Sequence, residues 1–237
     1  MPAPIAAIGR EPGPADLSRM IASAIPSPRS DTQRSLVQAA RIRTLAPKDL
    51  IFRQGEPILL TLMLQGYASF RRTTADGRQL VLGVATGGDL FGYSSFAARR
   101  ATADVVALTE ARVAVWPGKQ LRGLATDDVG LATDVIDGMA GFIVDVTERL
   151  DGFIHQHSRQ RVVRVLARYG DLFFGQPAVL SRTHLPSLVG TSREMTSRVI
   201  RELEREGLVA RVGRNGLQLL APARLREAAT SLAEEAS

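Results

Sequence analysis

The stretch LPSLVGTSREMTSRVIRELEREGLV, residues Leu185–Val209, predicts two helices joined by a tight turn. A short apolar run ends at Gly190-Thr191, and a longer stretch follows Ser192, which is a good N-cap residue. This layout is typical of a helix-turn-helix, whose second helix enters the major groove of DNA. The carboxy-terminal third of the chain therefore predicts double-stranded DNA as a partner.

Helical spacing of about 100° per residue divides the second helix into two faces. The apolar face, which can pack on Leu185, Leu188 and Val189 of the first helix, comprises Met195, Val199, Ile200 and Leu203. The opposite face comprises the candidate DNA-binding residues Arg193, Glu194, Ser197, Arg198, Arg201 and Arg205. The alternative is a solvated charged helix in which Glu194 and Arg198 pair one turn apart.

The order of the charged residues suits two kinds of DNA contact. Arg193, Glu194 and Arg198 lie in the first two turns, where this docking mode reads base edges. Arginine can donate two hydrogen bonds to guanine, and glutamate can accept one from cytosine. Arg201 and Arg205 lie further along the helix, where phosphate is the expected contact.

A hairpin is predicted directly after this helix. Gly207 can end the helix, and the sequence LVARVGRNGLQLL then indicates a strand, a turn and a second strand. A hairpin in this position is a wing. Its tip can bring Arg211 and Arg214 near phosphate.

Charge along the 237-residue chain supports a nucleic-acid partner. The net charge is +6 and the pI is near 10.6. The part from Arg159 onward has 13 arginines and 8 acidic residues, whereas residues 1–158 have 17 basic and 16 acidic ones. A basic excess that lies with the helix-turn-helix is typical of nucleic-acid binding.

Several classes of protein are disfavoured by composition. The absence of cysteine excludes disulfides, thiolate catalysis and cysteine-ligated metal centres. His155, His157 and His184 do not form a compact metal motif, and no nucleophile–base pair is visible, so we expect neither an enzyme nor a metal site. No apolar run approaches the ~18 residues of a membrane span, and the amino terminus lacks a signal-peptide pattern. We therefore expect a cytoplasmic protein without a membrane partner.

The first half of the chain changes character twice. Residues 1–30 contain six of the twelve prolines, which predicts a flexible tail with one helical turn around Leu17–Ile25. A short helix is predicted at Gln33–Ala40. Within residues 31–118, short apolar runs separated by glycines and by an Asp76-Gly77 hairpin turn predict a β-barrel or jelly roll.

A long helix is predicted over residues 119–157. Its apolar residues recur at alternating steps of three and four, which is typical of the seam of a parallel dimeric coiled coil. The seam comprises Ile136, Met139, Ile143, Val146, Leu150 and Phe153. The alternative is an amphipathic helix that packs on its own domain, since Gly138 and Gly141 weaken an isolated helix. A hinge near His155–Ser158 precedes the DNA-binding domain, residues 158–237.

The order of barrel, long helix and winged helix-turn-helix resembles the Crp/Fnr family of bacterial transcription regulators. The motifs that carry the resemblance lie between Arg41 and Leu220 and are FRQGEP, ADGRQLVLGVATGGDLFG, ATADVVALTEARVAVW and SREMTSRVIRELEREGLV. The resemblance implies an α+β fold with an amino-terminal jelly-roll barrel like that of cyclic-nucleotide-binding domains, a dimerisation helix and a carboxy-terminal winged helix-turn-helix. It also implies a homodimer that works with RNA polymerase. Arg193, Glu194 and Arg198 match an Arg-Glu-x-x-x-Arg trio, which implies an inverted repeat with TGTGA-like half-sites.

The same resemblance places a candidate effector pocket in the barrel. Members that bind cyclic nucleotides have Phe-Gly-Glu for the ribose, followed by an arginine for the phosphate and a small hydroxyl residue. Here GDLFGYSSFAARRATA has Tyr93 at the glutamate position and Ala101 at the arginine position, so we expect an effector other than cyclic AMP. The pocket residues that the resemblance assigns are Gly92, Tyr93, Ser94, Arg99, Arg100, Thr102 and Thr147.

The identity of an effector stays open at this point. Arg99 and Arg100 can bind another small anion or a nucleotide such as a cyclic dinucleotide, or they form a solvated loop pair. Thr147 matches a position that faces the purine, or it is a surface threonine. The oxygen-sensing branch of the family needs cysteine and the haem-sensing branch uses histidine in the barrel, and this chain has neither. No cofactor is assigned.

These observations predict a dimeric, sequence-specific DNA-binding regulator. The alternative is a ligand-binding or interaction module that keeps the helix-turn-helix as a scaffold, which Tyr93 and the long amino-terminal tail suggest.

Overall fold

The computed structural model describes residues 13–74, 77 and 79–234, with side chains up to residue 230. The chain divides into two compact units, Met1–Val144 and Asp145–Ser237. One long helix, Val129–His155, continues across this boundary. Within the described part of the chain, no helix is both long and apolar enough to span a membrane.

The first unit contains a two-sheet β-structure, as the sequence predicts. Its strands are β1 (Arg41–Leu45), β2 (Leu50–Phe52), β3 (Leu60–Gln65), β4 (Tyr67–Thr73), β5 (Gln79–Thr86), β6 (Leu90–Phe91), β7 (Asp104–Ala107) and β8 (Ala111–Trp116). One sheet has the order β1-β8-β3-β6 and the other β2-β7-β4-β5, and each pairing is antiparallel. The predicted turn between β4 and β5 includes Asp76, which lies outside the described residues.

Alternation along β3 explains why most of this strand is apolar. Met63 faces the core between the two sheets. Its neighbours Leu62 and Leu64 point to the opposite face, where they join a second core. Successive side chains of a strand point to opposite faces, so a strand buried on both faces is apolar at most positions. Thr61 is buried as well, and its hydroxyl donates to the Leu59 carbonyl at 3.2 Å.

Helices from the amino-terminal segment build that second core, which corrects the prediction of a flexible tail. Helix α1 (Pro14–Ala24) begins at a proline, which is tolerated in the first helical turn because no intrahelical N–H bond is lost there. Ile21 of α1 and the following Ile25 are fully buried. The predicted short helix is confirmed as α2 (Ser30–Ala39), and its Leu36 carbonyl accepts a hydrogen bond from the indole of Trp116 at 2.9 Å. Residues 1–12 lie outside the described residues.

The single helix predicted over residues 119–157 is two helices, α3 (Gly118–Asp127) and α4 (Val129–His155). Asp128 separates them in an extended conformation. Its carboxylate accepts hydrogen bonds from the backbone N–H of Gly130 and of Arg29, each at 2.9 Å. The same carboxylate therefore caps α4 and binds the amino-terminal segment. A side chain at Gly130 would lie 2.1 Å from the Ser27 carbonyl oxygen, so the α1–α2 connection passes directly over the first turn of α4.

The pKa of Asp128 predicts a pH-dependent contribution to stability. A hydrogen bond from the Thr32 side chain and those from Arg29, Gly130 and Leu131 outweigh the effect of burial and lower this pKa to about 2. Because an unfolded aspartate titrates near pH ~3.9, the stabilisation is complete above about pH 4 and is lost as the pH falls towards 2. Asp128→Asn should therefore lower the melting temperature at pH 6, and the difference from wild type should shrink between about pH 4 and pH 2.

Thermal unfolding followed by circular dichroism from pH 6 to pH 2 checks this expectation. Asp31→Asn is the matched control, because Asp31 is an exposed carboxylate on α2 that pairs only with the exposed Arg34. Such surface pairs contribute little to stability. A difference between wild type and Asp128→Asn that stays constant down to pH 2 would contradict the argument.

The second unit is helical with one small sheet. After α4 ends at His155, its elements are α5 (Ser158–Arg168), α6 (Gly170–Phe174), α7 (Leu185–Val189), α8 (Arg193–Arg205), β9 (Val209–Val212), β10 (Gly216–Leu219) and α9 (Pro222–Glu234). Its core includes the fully buried Val162, Leu166, Phe173, Leu185 and Leu203. The fold therefore has a jelly-roll-like barrel, a long helix and a winged helix-turn-helix in the predicted order.

Candidate nucleic-acid interface

Helix α8 begins where the sequence predicts. The Ser192 hydroxyl accepts a hydrogen bond from the Met195 backbone N–H at 3.1 Å, so Ser192 is the N-cap. Val199, Ile200 and Leu203 are buried as expected. Thr196 is buried too, which the apolar pattern did not reveal, because its hydroxyl is satisfied by the Ser192 carbonyl at 2.9 Å. Met195 is only half-buried.

The charged face of α8 is exposed to solvent over its whole length. All six predicted residues on it are exposed: Arg193, Glu194, Ser197, Arg198, Arg201 and Arg205. The alternative pairing of Glu194 with Arg198 is not observed, because Arg198 lies 3.9 Å from Glu202 instead. Among the described residues, the side chains of Arg193 and Glu194 have no hydrogen-bond or ion-pair partner. An open groove along this face is also lined by Met195 and Glu202, two residues that the sequence did not assign to the site.

Gly190 forms the tight turn between α7 and α8 and also contacts α4. Its φ of +67° lies in the left-handed region that favours glycine. A β-carbon at this position would lie 2.4 Å from Cε1 of Phe153, near the end of α4. Phe153 also lies under the Arg161 guanidinium, 5.7 Å from the ring centroid. The last residue of the predicted seam is therefore also bound to the helix-turn-helix, which helical spacing alone could not show.

Gly190→Ala should destabilise the second unit more than the same change at Gly207. Gly207 has a similar φ of +70° but no atom within 4 Å of a β-carbon, so its substitution brings only the backbone strain of about 1–2 kcal/mol. Gly190→Ala adds a steric clash with Phe153, and we expect it to lose a further 1 kcal/mol or more, roughly, in the free energy of unfolding.

Urea denaturation of the two variants measures this difference. A double variant isolates the contribution of the clash. In the Phe153→Ala background, Gly190→Ala should lower the free energy of unfolding by less than it does in the wild-type protein. Equal losses for Gly190→Ala and Gly207→Ala would show that Phe153 does not constrain the turn.

The predicted wing is present as the antiparallel pair β9–β10. The positive φ in its turn is at Gly213 rather than at the Asn215-Gly216 pair that indicated the hairpin. Arg214 at the tip is exposed. Arg211, which the sequence also placed near phosphate, is instead paired within the protein, with its Nε 2.8 Å from a Glu204 carboxylate oxygen.

Helix α4 has a broad apolar face that is exposed in the single chain. Ten of its large apolar side chains are at least 38% exposed, including all six members of the predicted seam. The alternative, packing on its own unit, holds near the amino-terminal end, where Leu131 and Val135 are buried, and in part at Gly138 and Phe153. Beyond those turns the face resembles one half of an interface.

The predicted effector residues differ in exposure and in their hydrogen-bond partners. Arg99 and Thr102 are exposed, and the Arg100 guanidinium donates to the Gly55 carbonyl at 2.7 Å. Ala101 is buried in the core between the sheets. Thr147 lies on α4 in the second unit.

Tyr93 packs against α4, not into the core between the sheets. A β-carbon at Gly138 would lie 2.2 Å from the Tyr93 hydroxyl oxygen, so only glycine leaves room for it. Burial and the nearby Asp89 raise the pKa of Tyr93 above its usual value. Ser94 follows Tyr93 in the same 3-10 turn, and Gly92 precedes it with a φ of +89° and no space for a side chain beside the Leu59 carbonyl. Tyr93 therefore fills space between the barrel and α4.

Aromatic side chains fill the interior of the barrel beside these residues. Phe91 makes edge-to-face contacts with Phe52 and Phe70, with ring centroids 6.3 Å and 5.1 Å apart. These rings lie in the same core as Ala101. The side chain at the arginine position of cyclic-nucleotide-binding members is therefore part of an apolar core, while its neighbours Arg100 and Thr102 are exposed.

Comparison with known proteins agrees with this architecture. Residues 42–128 match the family model of the cyclic nucleotide-binding domain, and residues 160–228 match that of the Crp-like helix-turn-helix domain. The cAMP-activated global transcriptional regulator Vfr of Pseudomonas aeruginosa is 25% identical over 185 residues, which cover 73% of this chain and 86% of Vfr.

Two solved structures share the fold. FixK2 from Bradyrhizobium japonicum has a TM-score of 0.69 and 20% identity, covering 79% of this chain and 96% of FixK2. The c-di-GMP-responsive global regulator CLP of Xanthomonas campestris has a TM-score of 0.68 and 23% identity, covering 81% of this chain and 100% of CLP. The chain belongs to the Crp/Fnr family of transcription regulators. It is a DNA-binding transcription regulator of the Crp/Fnr type.

Proposed function

We propose that the chain acts as a homodimer that binds an inverted repeat with TGTGA-like half-sites. The observation that carries this proposal is the exposed face of α8, where Arg193, Glu194 and Arg198 are available and Val199, Ile200 and Leu203 anchor the opposite face. The trio has the Arg-Glu-x-x-x-Arg spacing that the resemblance associates with such half-sites. Bidentate arginine contacts to guanine and a glutamate contact to cytosine account for the reading of base edges.

The remaining exposed residues are assigned to the DNA backbone. Arg201, Arg205 and Arg214 neutralise phosphates and fix the register of the protein on the duplex, while Ser197 lies between the base-reading residues. Because each phosphate contact releases counterions, these residues set the salt dependence of binding.

A second copy of the chain is the proposed occupant of the exposed face of α4. About 100° per residue places Val129, Phe142 and Ile154 beside the six-residue seam, in one apolar arc roughly 140° wide. An exposed apolar surface of this extent marks an interaction site, and two recognition helices are needed to read two half-sites.

We propose that any effector of this chain is a molecule other than cyclic AMP, although Vfr is a cAMP-activated protein by name. A cyclic phosphate at the family position would meet Ala101 and no guanidinium, and the ribose would meet a tyrosine that is packed on Gly138. An unsatisfied phosphate in an apolar site is strongly disfavoured. Arg99 remains available for a different small anion at the surface.

The proposal also includes the cellular setting. The chain acts on DNA in the cytoplasm together with RNA polymerase, and it regulates without catalysing a reaction. Binding of an effector to one arrangement of the dimer would change the relative placement of the two recognition helices.

Selection of bound duplexes from a random pool by the purified protein tests the central claim. The expected result is an enriched inverted repeat with TGTGA-like half-sites. Enrichment of a single, non-repeated motif would contradict binding as a homodimer. The absence of an enriched motif would favour a ligand-binding or interaction module. A thermal-shift screen of cyclic mono- and dinucleotides, haem and small metabolites tests the effector, and stabilisation by cyclic AMP would overturn the argument from Tyr93 and Ala101.

A further inference from the structure

The tip of the wing is bound from the side by Arg182, which lies in the 3-10 turn before α7. The backbone N–H of Arg182 donates to the Asn215 carbonyl at 2.9 Å. Its guanidinium Nη2 donates to the Arg214 carbonyl at 2.7 Å. Two consecutive carbonyls of the wing turn are therefore held by one residue that belongs to neither strand.

Glu204 binds the base of the wing to the recognition helix. One carboxylate oxygen accepts from both the backbone N–H and the Nε of Arg211, each at 2.9 Å. Burial alone would raise the pKa of Glu204, but the hydrogen bonds from Arg211 and the positive charges of Arg211 and Arg182 hold this pKa below its usual value. The ion pair with Glu204 therefore fixes the direction of the Arg211 guanidinium along the protein surface.

Arg214 differs from Arg211 in its side-chain partners, although both arginines are exposed. Its side chain is exposed and has no hydrogen-bond or ion-pair partner among the residues that the structure describes. Its backbone carbonyl, by contrast, is fixed by Arg182. A fixed backbone with a free guanidinium favours a phosphate contact, since the backbone has no conformational freedom left to lose on binding.

We propose that Arg182 and Glu204 are positioning residues, which hold the wing beside α8 so that Arg214 reaches a DNA phosphate, and that Arg211 is their structural partner and makes no DNA contact. The inference rests on the proposed function and names how the wing contributes to it. Arg182 contributes to DNA binding through Arg214 and not through its own charge.

A double-mutant cycle distinguishes positioning from direct contact. Arg182→Ala, Arg214→Ala and the double variant are titrated with the selected duplex over a range of salt concentrations. In the wild-type background, Arg214→Ala should reduce the log–log salt slope by about 1.8 per dimer, the value for two phosphate contacts, one in each half-site. In the Arg182→Ala background the same change should reduce the slope by clearly less, because the bond to the Arg214 carbonyl is lost while the backbone bond to Asn215 remains. Arg226→Ala, at an exposed arginine of α9 in the same unit, controls for the loss of one positive charge.

A charge-neutral variant and a measurement without DNA complete the test. Glu204→Ala combined with Arg211→Ala leaves the net charge unchanged, yet it should abolish the effect of Arg214→Ala on the salt slope. Hydrogen exchange of the free protein should show faster exchange of the amides of residues 211–216 in Arg182→Ala, with α8 amides unchanged.

The experiments test the positioning role of Arg182 and Glu204 separately from the proposed function. A full slope reduction by Arg214→Ala in both mutant backgrounds would overturn the positioning role, and so would unchanged exchange in the wing of Arg182→Ala. Failure of the wild-type protein to select any duplex would reject the proposed function and the phosphate role of Arg214. The exchange measurement would then still decide whether Arg182 anchors the wing.

Discussion

Replacing Arg193 with alanine should weaken binding to the selected duplex by about 1–3 kcal/mol, which is roughly a 5- to 150-fold increase in Kd. The side chain is exposed in the first turn of α8 and has no partner among the described residues, so its removal leaves no buried group unsatisfied inside the protein. The lost free energy therefore reports the DNA contact. Base preference at the contacted position should relax, because a bidentate contact to guanine is what distinguishes that base pair.

Fluorescence anisotropy with duplexes substituted at each half-site position measures both effects. Arg201→Ala is the matched variant on the same face, and it should weaken binding to all duplexes about equally while it reduces the salt slope by about 1.8 per dimer. If Arg193→Ala keeps both the affinity and the base preference of the wild type, Arg193 does not belong to the recognition surface.

Leu150→Asp should convert the protein to a monomer and lower its apparent affinity for the inverted repeat by roughly two to four orders of magnitude. Leu150 is a member of the α4 seam and is 57% exposed in the single chain. An aspartate there would have to be buried without a partner in the dimer interface, which is strongly unfavourable. Loss of the dimer makes the two half-sites bind independently, and the gain from linked binding, typically ~10²–10⁴, is lost with it.

Sedimentation velocity and DNA titration of the same samples test this expectation. Val144→Asp is the matched control, because Val144 is also 57% exposed and lies on α4 about 120° around the helix from Leu150. It should remain dimeric with near-wild-type affinity. A dimeric Leu150→Asp protein that binds the repeat normally would place the interface elsewhere.

The DNA-binding half of the structure follows closely from sequence periodicity. The start of α8 at Ser192 and its buried residues Val199, Ile200 and Leu203 depend on local capping and on the 3.6-residue repeat. Such local rules are visible in a single sequence. Burial of Thr196 was missed because a polar residue can replace an apolar one where its hydroxyl bonds to the preceding turn of the helix.

Composition alone leads to the wrong prediction for the amino-terminal segment. Prolines in residues 1–30 indicate a flexible tail, yet Ile21 and Ile25 are fully buried against the outer face of the barrel sheet. Whether such a segment folds depends on an apolar surface elsewhere in the chain, here formed by residues such as Leu60, Leu62 and Trp116. The division at Asp128 depends in the same way on Arg29 and Thr32, about a hundred residues earlier.

The sequence by itself determined the order of the elements and the two faces of α8 and α4, because capping, alternation and helical repeat act between near neighbours. Tertiary structure alone decided which charged groups are free. Arg211 and Arg214 are equivalent wing arginines in the sequence. In the folded chain only Arg211 contacts a carboxylate, that of Glu204 on α8. Likewise, only packing shows that Tyr93 is packed against Gly138 and that Phe153 fits Gly190. Contacts between distant residues depend on how the elements pack in space, and a one-dimensional pattern does not contain that information.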